Sequence, residues 1–111
     1  ICGLRYGGHP NTPVSDELEI GWRVAESAWG MGYAREAAEA CLAWGWQHTT
    51  RTRIAARTVQ SNHASWGLMM RLGMTRRPDL DFDHPRFESG HPLQRHITYV
   101  IDRAAGERRS F

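Results

Sequence analysis

The sequence predicts a single α/β domain on three observations: a strand-like alternation, a helical run that follows it, and a repetition of that order before a last β-branched strand. In "ELEIGWRVA", residues 17–25, Leu18, Ile20, Trp22 and Val24 alternate with Glu17, Glu19, Gly21 and Arg23, the period-2 pattern of a half-buried strand. From Tyr33 to about His48 the period becomes helical, with Ala34, Ala37, Ala38, Cys41, Leu42 and Gly45 on one stripe and Arg35, Glu36, Glu39 and Gln47 largely off it. "RTRIAARTV", 51–59, then reads as a strand, "NHASWGLMMRLGM" as a helix with Asn62 as N-cap and its end at Gly73, and "RHITYVID", 95–102, as a β-branched strand.

The remaining segments are punctuation around these elements. "ICGLRY", 1–6, reads as a short strand, cut by the turn-rich "GGHPNTPVSD" of 7–16. "TRRPDLDFDHP" holds a short strand interrupted by Pro78, and "RFESGHPLQ" is a loop. The arginines at 103, 108 and 109 read as a solvated overhang, so the domain is expected over 1–103 and a disordered tail over 104–111.

Composition narrows the function classes. The 111 residues, 41% apolar, suit one core and leave no room for two. A formal charge of +2 with pI near 8.9 is only mildly basic, and the arginines are too dispersed for a stripe interleaved with stacking aromatics, so a nucleic-acid module is not expected. Cys2 and Cys41 stand far apart without CxxC spacing, and neither a signal peptide nor a long apolar run is visible. A cytoplasmic protein without a membrane segment is the expectation.

"SAWGMGYAREA", 27–37, puts two glycines directly before a helix. The first turn of a helix leaves about four N–H groups without intrahelical partners, and its dipole is equivalent to roughly half a positive charge. Gly30 and Gly32 keep Cβ atoms out of the way, so N–H groups from about Trp29 to Ala34 can converge on a phosphate. The loop lacks the Lys-Ser/Thr ending of a Walker loop and is one glycine short of the dinucleotide fingerprint, which disfavours both of those families.

"EIGWRVAESAWGMGYAREA", followed at the right interval by "NHASWGLMMRLGM", resembles the GNAT superfamily of N-acetyltransferases, and most its ribosomal-protein-alanine N-acetyltransferase-like branch. The resemblance covers essentially residues 1–103. It implies a mixed, mostly antiparallel twisted sheet with helices on its faces, and acetyl-coenzyme A as the acetyl donor. The family's Q/R-x-x-G-x-G/A loop, which holds the pyrophosphate, falls on Ser27 through Gly32, with Ser27 replacing the usual Gln or Arg. Trp29, Gly30, Met31, Gly32, Tyr33 and Ala34 are thereby implied in cofactor binding. The pantetheine arm would run along the strand before the loop, at Val24 and its neighbours, much as an added strand does. Asn62 is implied in contact with that arm and Ser65 near the thioester; an N-cap and a solvent-facing helix position are the equally open local readings.

Acetyl transfer to an amine needs a base, because a primary amine with pKa ~10 is almost wholly protonated at neutral pH. Glu19, on the non-core face of the strand that leads to the cofactor loop, is the first candidate; its plain alternative is a solvated residue paired with a neighbouring Arg. Asp83 in "DFDHP" is the second. Where many relatives place an acid-supplying Tyr in the second helix this chain has Met69, leaving Ser65, a water or no acid at all, since a thiolate with pKa ~8.5 leaves adequately unprotonated.

His84, His91 and His96 lack the spacing of a zinc motif, so no metal is expected and the two His-Pro steps are read as shaping the loop before the last strand. Trp22 is assigned to the core; Trp44, Trp46 and Trp66 are left as core or interface. A whole GNAT domain opens with a strand, two helices and another strand before the equivalent of "ICGLRY". The chain therefore reads as a fragment or a truncation, expected to cover its exposed edge by forming a homo-oligomer, a dimer, strand-exchanged or not. Two functions follow: an N-acetyltransferase acting on a protein N-terminus or a small-molecule amine, or a non-catalytic coenzyme A-binding domain that self-associates.

Overall fold

The period-2 segment folds as strand β2 (Leu18–Trp22), with Leu18 and Ile20 turned into the core and Glu19 onto the opposite face. In the computed structural model, which describes residues 2–6, 17–22 and 32–108, β2 pairs antiparallel with β1 (Cys2–Tyr6) through five facing pairs, from Cys2 opposite Trp22 to Tyr6 opposite Leu18. On its other side β2 runs parallel to β3 (Arg53–Val59), and β3 pairs antiparallel with β6 (Arg95–Asp102) over its whole length. β4 (Thr75–Arg76) and β5 (Phe82–Asp83) follow one another along the free side of β6. The strand order β1-β2-β3-β6-β4 makes a mixed, mostly antiparallel sheet, as expected from the sequence.

Helix α1 (Tyr33–His48) crosses from β2 to β3 and α2 (His63–Arg71) from β3 toward β4. Both pack on the sheet face that carries Leu18, Ile20, Ile54, Ala56, Ile97, Tyr99 and Ile101. α1 buries Ala38, Leu42, Gly45 and Trp46, so the stripe lies one position further round than its alanines suggest, and Ala37 is exposed. α2 starts at the predicted N-cap: Asn62 Oδ1 accepts the Ser65 N–H at 3.2 Å. It ends at Gly73, whose φ of 88° lets its N–H reach the Met70 carbonyl while Met74 N–H reaches that of Met69. Buried Met74 and Met69 supply the apolar contact that accompanies this kind of stop.

Two segments differ from expectation. The stretch around Pro78 is a strand, a 3-10 turn (Pro78–Leu80) and a strand, with the proline at the first turn where its missing N–H costs nothing. Asp81 pins it, taking two bonds of 2.6 Å from Arg76 and the Thr98 N–H at 3.0 Å. The expected overhang is in part a short helix, α3 (Arg103–Arg108). Its Arg103 guanidinium donates to the carbonyls of Trp46, Thr49 and Arg51 at 2.7, 2.7 and 3.0 Å, closing the carboxyl end of α1, and lies over the Trp46 ring. Trp46 is thus core, Trp22 and Trp66 are half-buried against it, and Trp44 is exposed. Residues 109–111 lie outside the described residues.

Candidate functional site

The parallel pair β2 and β3 is the exception in the sheet. The two strands share one facing pair, Glu19 with Ala55, against five between β1 and β2 and seven between β3 and β6. Their amino ends are tied by an ion pair between Glu17 and Arg53. Among the described residues no facing pair joins the two strands beyond Glu19, and in the chain α1 follows β2 and α2 follows β3. A crevice outside the carboxyl ends of parallel strands is where α/β sheets place ligands.

The mouth of α1 suits an anion. Gly32 is its N-cap in the left-handed conformation, φ 79°, and among the described residues no side chain caps the helix and nothing lies within 4 Å of the position the Gly32 Cβ would occupy. The first intrahelical bond runs from Glu36 N–H to the Gly32 carbonyl, so the N–H groups of Tyr33, Ala34 and Arg35 precede the ladder. The Tyr33 side chain is exposed, whereas that of Ala34 packs toward the core, so Ala34 offers the mouth its N–H alone. Val24, Trp29, Gly30 and Met31 lie outside the described residues. Across the crevice, the Asn62 side chain is engaged as a cap and Ser65 sits half-buried in the first turn of α2.

Glu19 is 3% exposed. Its pairing with an arginine is as expected, its solvation is not: Arg57 Nε donates to Oε1 at 2.9 Å, while the buried Oε2 has no hydrogen-bond partner. Burial pushes the Glu19 carboxyl above the usual carboxylate range, against the charge and hydrogen bond of Arg57 and the charge of Arg5. A carboxylate so held accepts a proton more readily than a surface one, which is what a base at near-neutral pH requires. Glu19 lines a cleft of about 540 Å³ together with Arg5, Gly3, Gly21, Trp22 and Arg57.

Asp83 is not among the residues lining this cleft. It is exposed at the far edge of the sheet and pairs with Arg95 at 3.5 Å. Between the two regions Arg57 stands over the Phe82 ring, which stacks on His96, and His84 lies against both. Burial holds the His96 imidazole below its ordinary pKa, with Arg57 adding repulsion. His84 and His91 each use Nδ1 to accept a backbone N–H in the loop they were expected to shape.

Sequence reasoning missed Arg5 and Arg57. Each is an ordinary-looking strand arginine, and only the strand order, which puts β1 and β3 on either side of β2, brings them to Glu19.

Comparison with known proteins agrees with this architecture. The chain is 40% identical over 73 residues to the uncharacterized protein YkkB of Bacillus subtilis, a stretch covering 66% of this chain and 41% of that one. It is 30% identical over 67 residues to the FsC-acetyl coenzyme A-N(2)-transacetylase of Aspergillus fumigatus, covering 60% and 28%. The fold superposes on a GNAT-family acetyltransferase of Bacillus anthracis with TM-score 0.71 and 26% identity over 93% of this chain and 57% of the other. It shares the fold of a ribosomal-protein-S5-alanine acetyltransferase from Vibrio fischeri, with TM-score 0.69, 15% identity and coverage of 90% and 51%. The chain thus spans less than half of these curated relatives and a little over half of these solved chains. The family model of the GNAT acetyltransferase domain matches residues 1–75, and the chain belongs to that family.

Proposed function

We propose that the protein transfers the acetyl group of acetyl-coenzyme A to an amine, with Glu19 as the base. The observation that carries this reading is the buried, unpaired Oε2 of Glu19, on the strand that leads toward the uncapped mouth of α1. The residues present fit the donor: N–H groups at the Gly32–Ala34 turn for its diphosphate, the unpaired edge of β2 for its pantetheine arm, and the first turn of α2 for the thioester end.

Acetyl-coenzyme A supplies an acyl group already activated as a thioester. Glu19 takes a proton from the incoming ammonium, directly or through a water, so that the nitrogen lone pair is free to form the C–N bond as the C–S bond breaks. Its raised pKa matches that task, and Arg57 holds the carboxylate through Oε1, leaving Oε2 buried without a partner of its own. The nitrogen's second proton, lost as the amide forms, reaches the departing thiolate through Ser65 or a water. A protein N-terminal amine, as in the ribosomal-protein-alanine branch, is one acceptor of this type; the fold likeness to the Vibrio fischeri enzyme supports it no further than the fold.

A thiol-release assay with a panel of amines tests the reading. Glu19→Gln is expected to lower kcat/KM by about 10²–10⁴, whereas Asp83→Asn, exposed, paired with Arg95 and not among the cleft-lining residues, leaves it near wild type. Coenzyme A binding without turnover of any amine would favour the second reading, a coenzyme A-binding domain that self-associates.

A further inference from the structure

The cleft beside Glu19 carries more charge than a base needs. On the face of β1 and β2 that bears Glu19, two facing pairs lie next to one another: Arg5 opposite Glu19, and Gly3 opposite Gly21. Among the described residues nothing stands within 4 Å of the Cβ position of either glycine, so this pair forms a shelf without side chains of its own. Arg57 neutralises Glu19 through Oε1. Arg5 is exposed, lines the same cleft, and has no hydrogen-bond or ion-pair partner among the described residues. Among the described residues that line the cleft, two guanidinium groups therefore face one carboxylate, a net positive charge.

A site of that sign repels an ammonium ion unless the molecule brings an anion with it. We propose, on the reading that this is the acceptor cleft of an acetyltransferase, that it selects amines carrying a carboxylate or phosphate a few bonds from the nitrogen. The nitrogen would sit over Glu19, reaching its carboxyl through a water, with the anion at Arg5 and the short chain between them on the Gly3–Gly21 shelf. The volume, about 540 Å³, suits a small molecule or a chain end. The excess positive charge also favours the neutral amine over the ammonium, which lightens the work of Glu19. Polycations are disfavoured by the same argument.

The test compares four acceptors: O-phosphoethanolamine and β-alanine, each with an anion, against ethanolamine and spermidine, which have none. Binding is read by calorimetry in the presence of coenzyme A, and turnover by thiol release. The anionic amines are expected to bind at least tenfold more tightly than ethanolamine, and Arg5→Gln to bring that ratio toward one. Arg86→Gln, on the exposed loop after β5, is the control that leaves the ratio in place. Gly21→Val, which fills the shelf at a position with open space and ordinary φ, is expected to weaken all of the small amines while the strand stays folded by circular dichroism. Equal or tighter binding of ethanolamine or spermidine, no binding of any of the four, or a ratio indifferent to Arg5→Gln overturns the proposal. Anion-selective binding with no thiol release would leave the selectivity standing and overturn the transferase reading instead.

Discussion

Glu19 and His96 lie on the same face of the sheet, and burial moves their pKa values in opposite directions. The Glu19 carboxyl is raised by burial and held down by Arg57. As the base it must be ionised, so activity rises with pH through its raised pKa. Replacing Arg57 with Gln removes the opposing charge and hydrogen bond, leaves burial unopposed, and is expected to move the acid limb of the kcat/KM profile to higher pH; a limb that stays put would mean Arg57 only supports the strand. His96 is pushed below its ordinary 6.5 by desolvation, so the unfolded chain takes up its proton first. Stability is therefore full above about pH 6.5 and is lost as pH falls through and below that value. Urea midpoints at pH 7.5 and 5.5 should show the drop, and His96→Gln should shrink it. Glu19 itself was visible in the sequence because alternation exposes the off-core position of a strand. Arg57 was not, because no local pattern states that β3 lies beside β2.

At the scale of elements, legibility followed periodicity. α1 occupies the residues that its 3.6 pattern marks out, and β6 those of its β-branched run, which is buried on both faces. The segment after Gly73 was harder because its order comes from the Arg76–Asp81–Thr98 network, which joins residues far apart in the chain. α3 was missed for a related reason: its six residues carry no apolar stripe and are held by Arg103 and by the flat fit of Gly106 against Trp46. A Cβ on Gly106 would stand 2.3 Å from Trp46 Nε1, so Gly106→Ala is expected to cost about 1–3 kcal/mol of unfolding free energy, read as a lower urea midpoint with a change in tryptophan emission. At the start of α2, Asn62→Ala removes the cap and should cost about 1 kcal/mol. Capping alone leaves coenzyme A affinity where it was, whereas an amide contact with the pantetheine arm weakens it, so measuring both separates the two roles that the sequence left open.

For the whole molecule, the sparse pairing of β2 with β3 sets the energetics of ligand binding. These strands are neighbours in the sheet order, each leads toward a helix, and among the described residues one facing pair and the Glu17–Arg53 and Glu19–Arg57 ion pairs join them. A ligand lodged between their carboxyl ends would supply the main-chain pairing that the sheet lacks there and would contact both helix mouths at once. Such a ligand binds the folded chain alone, so its binding adds directly to stability. At a hundredfold excess over its dissociation constant coenzyme A should add about 2.7 kcal/mol, raising the Tm of a domain this size by about 10 °C. The share due to the α1 mouth is measured with Gly32→Ala. That change strains the left-handed N-cap and lowers the unliganded stability by about 1 kcal/mol. It also distorts the turn that presents the N–H groups, so the increment from coenzyme A should shrink well below that of the wild type. An increment unchanged in the variant would move the diphosphate away from this helix, and no increment in the wild type would remove the cofactor from the crevice altogether.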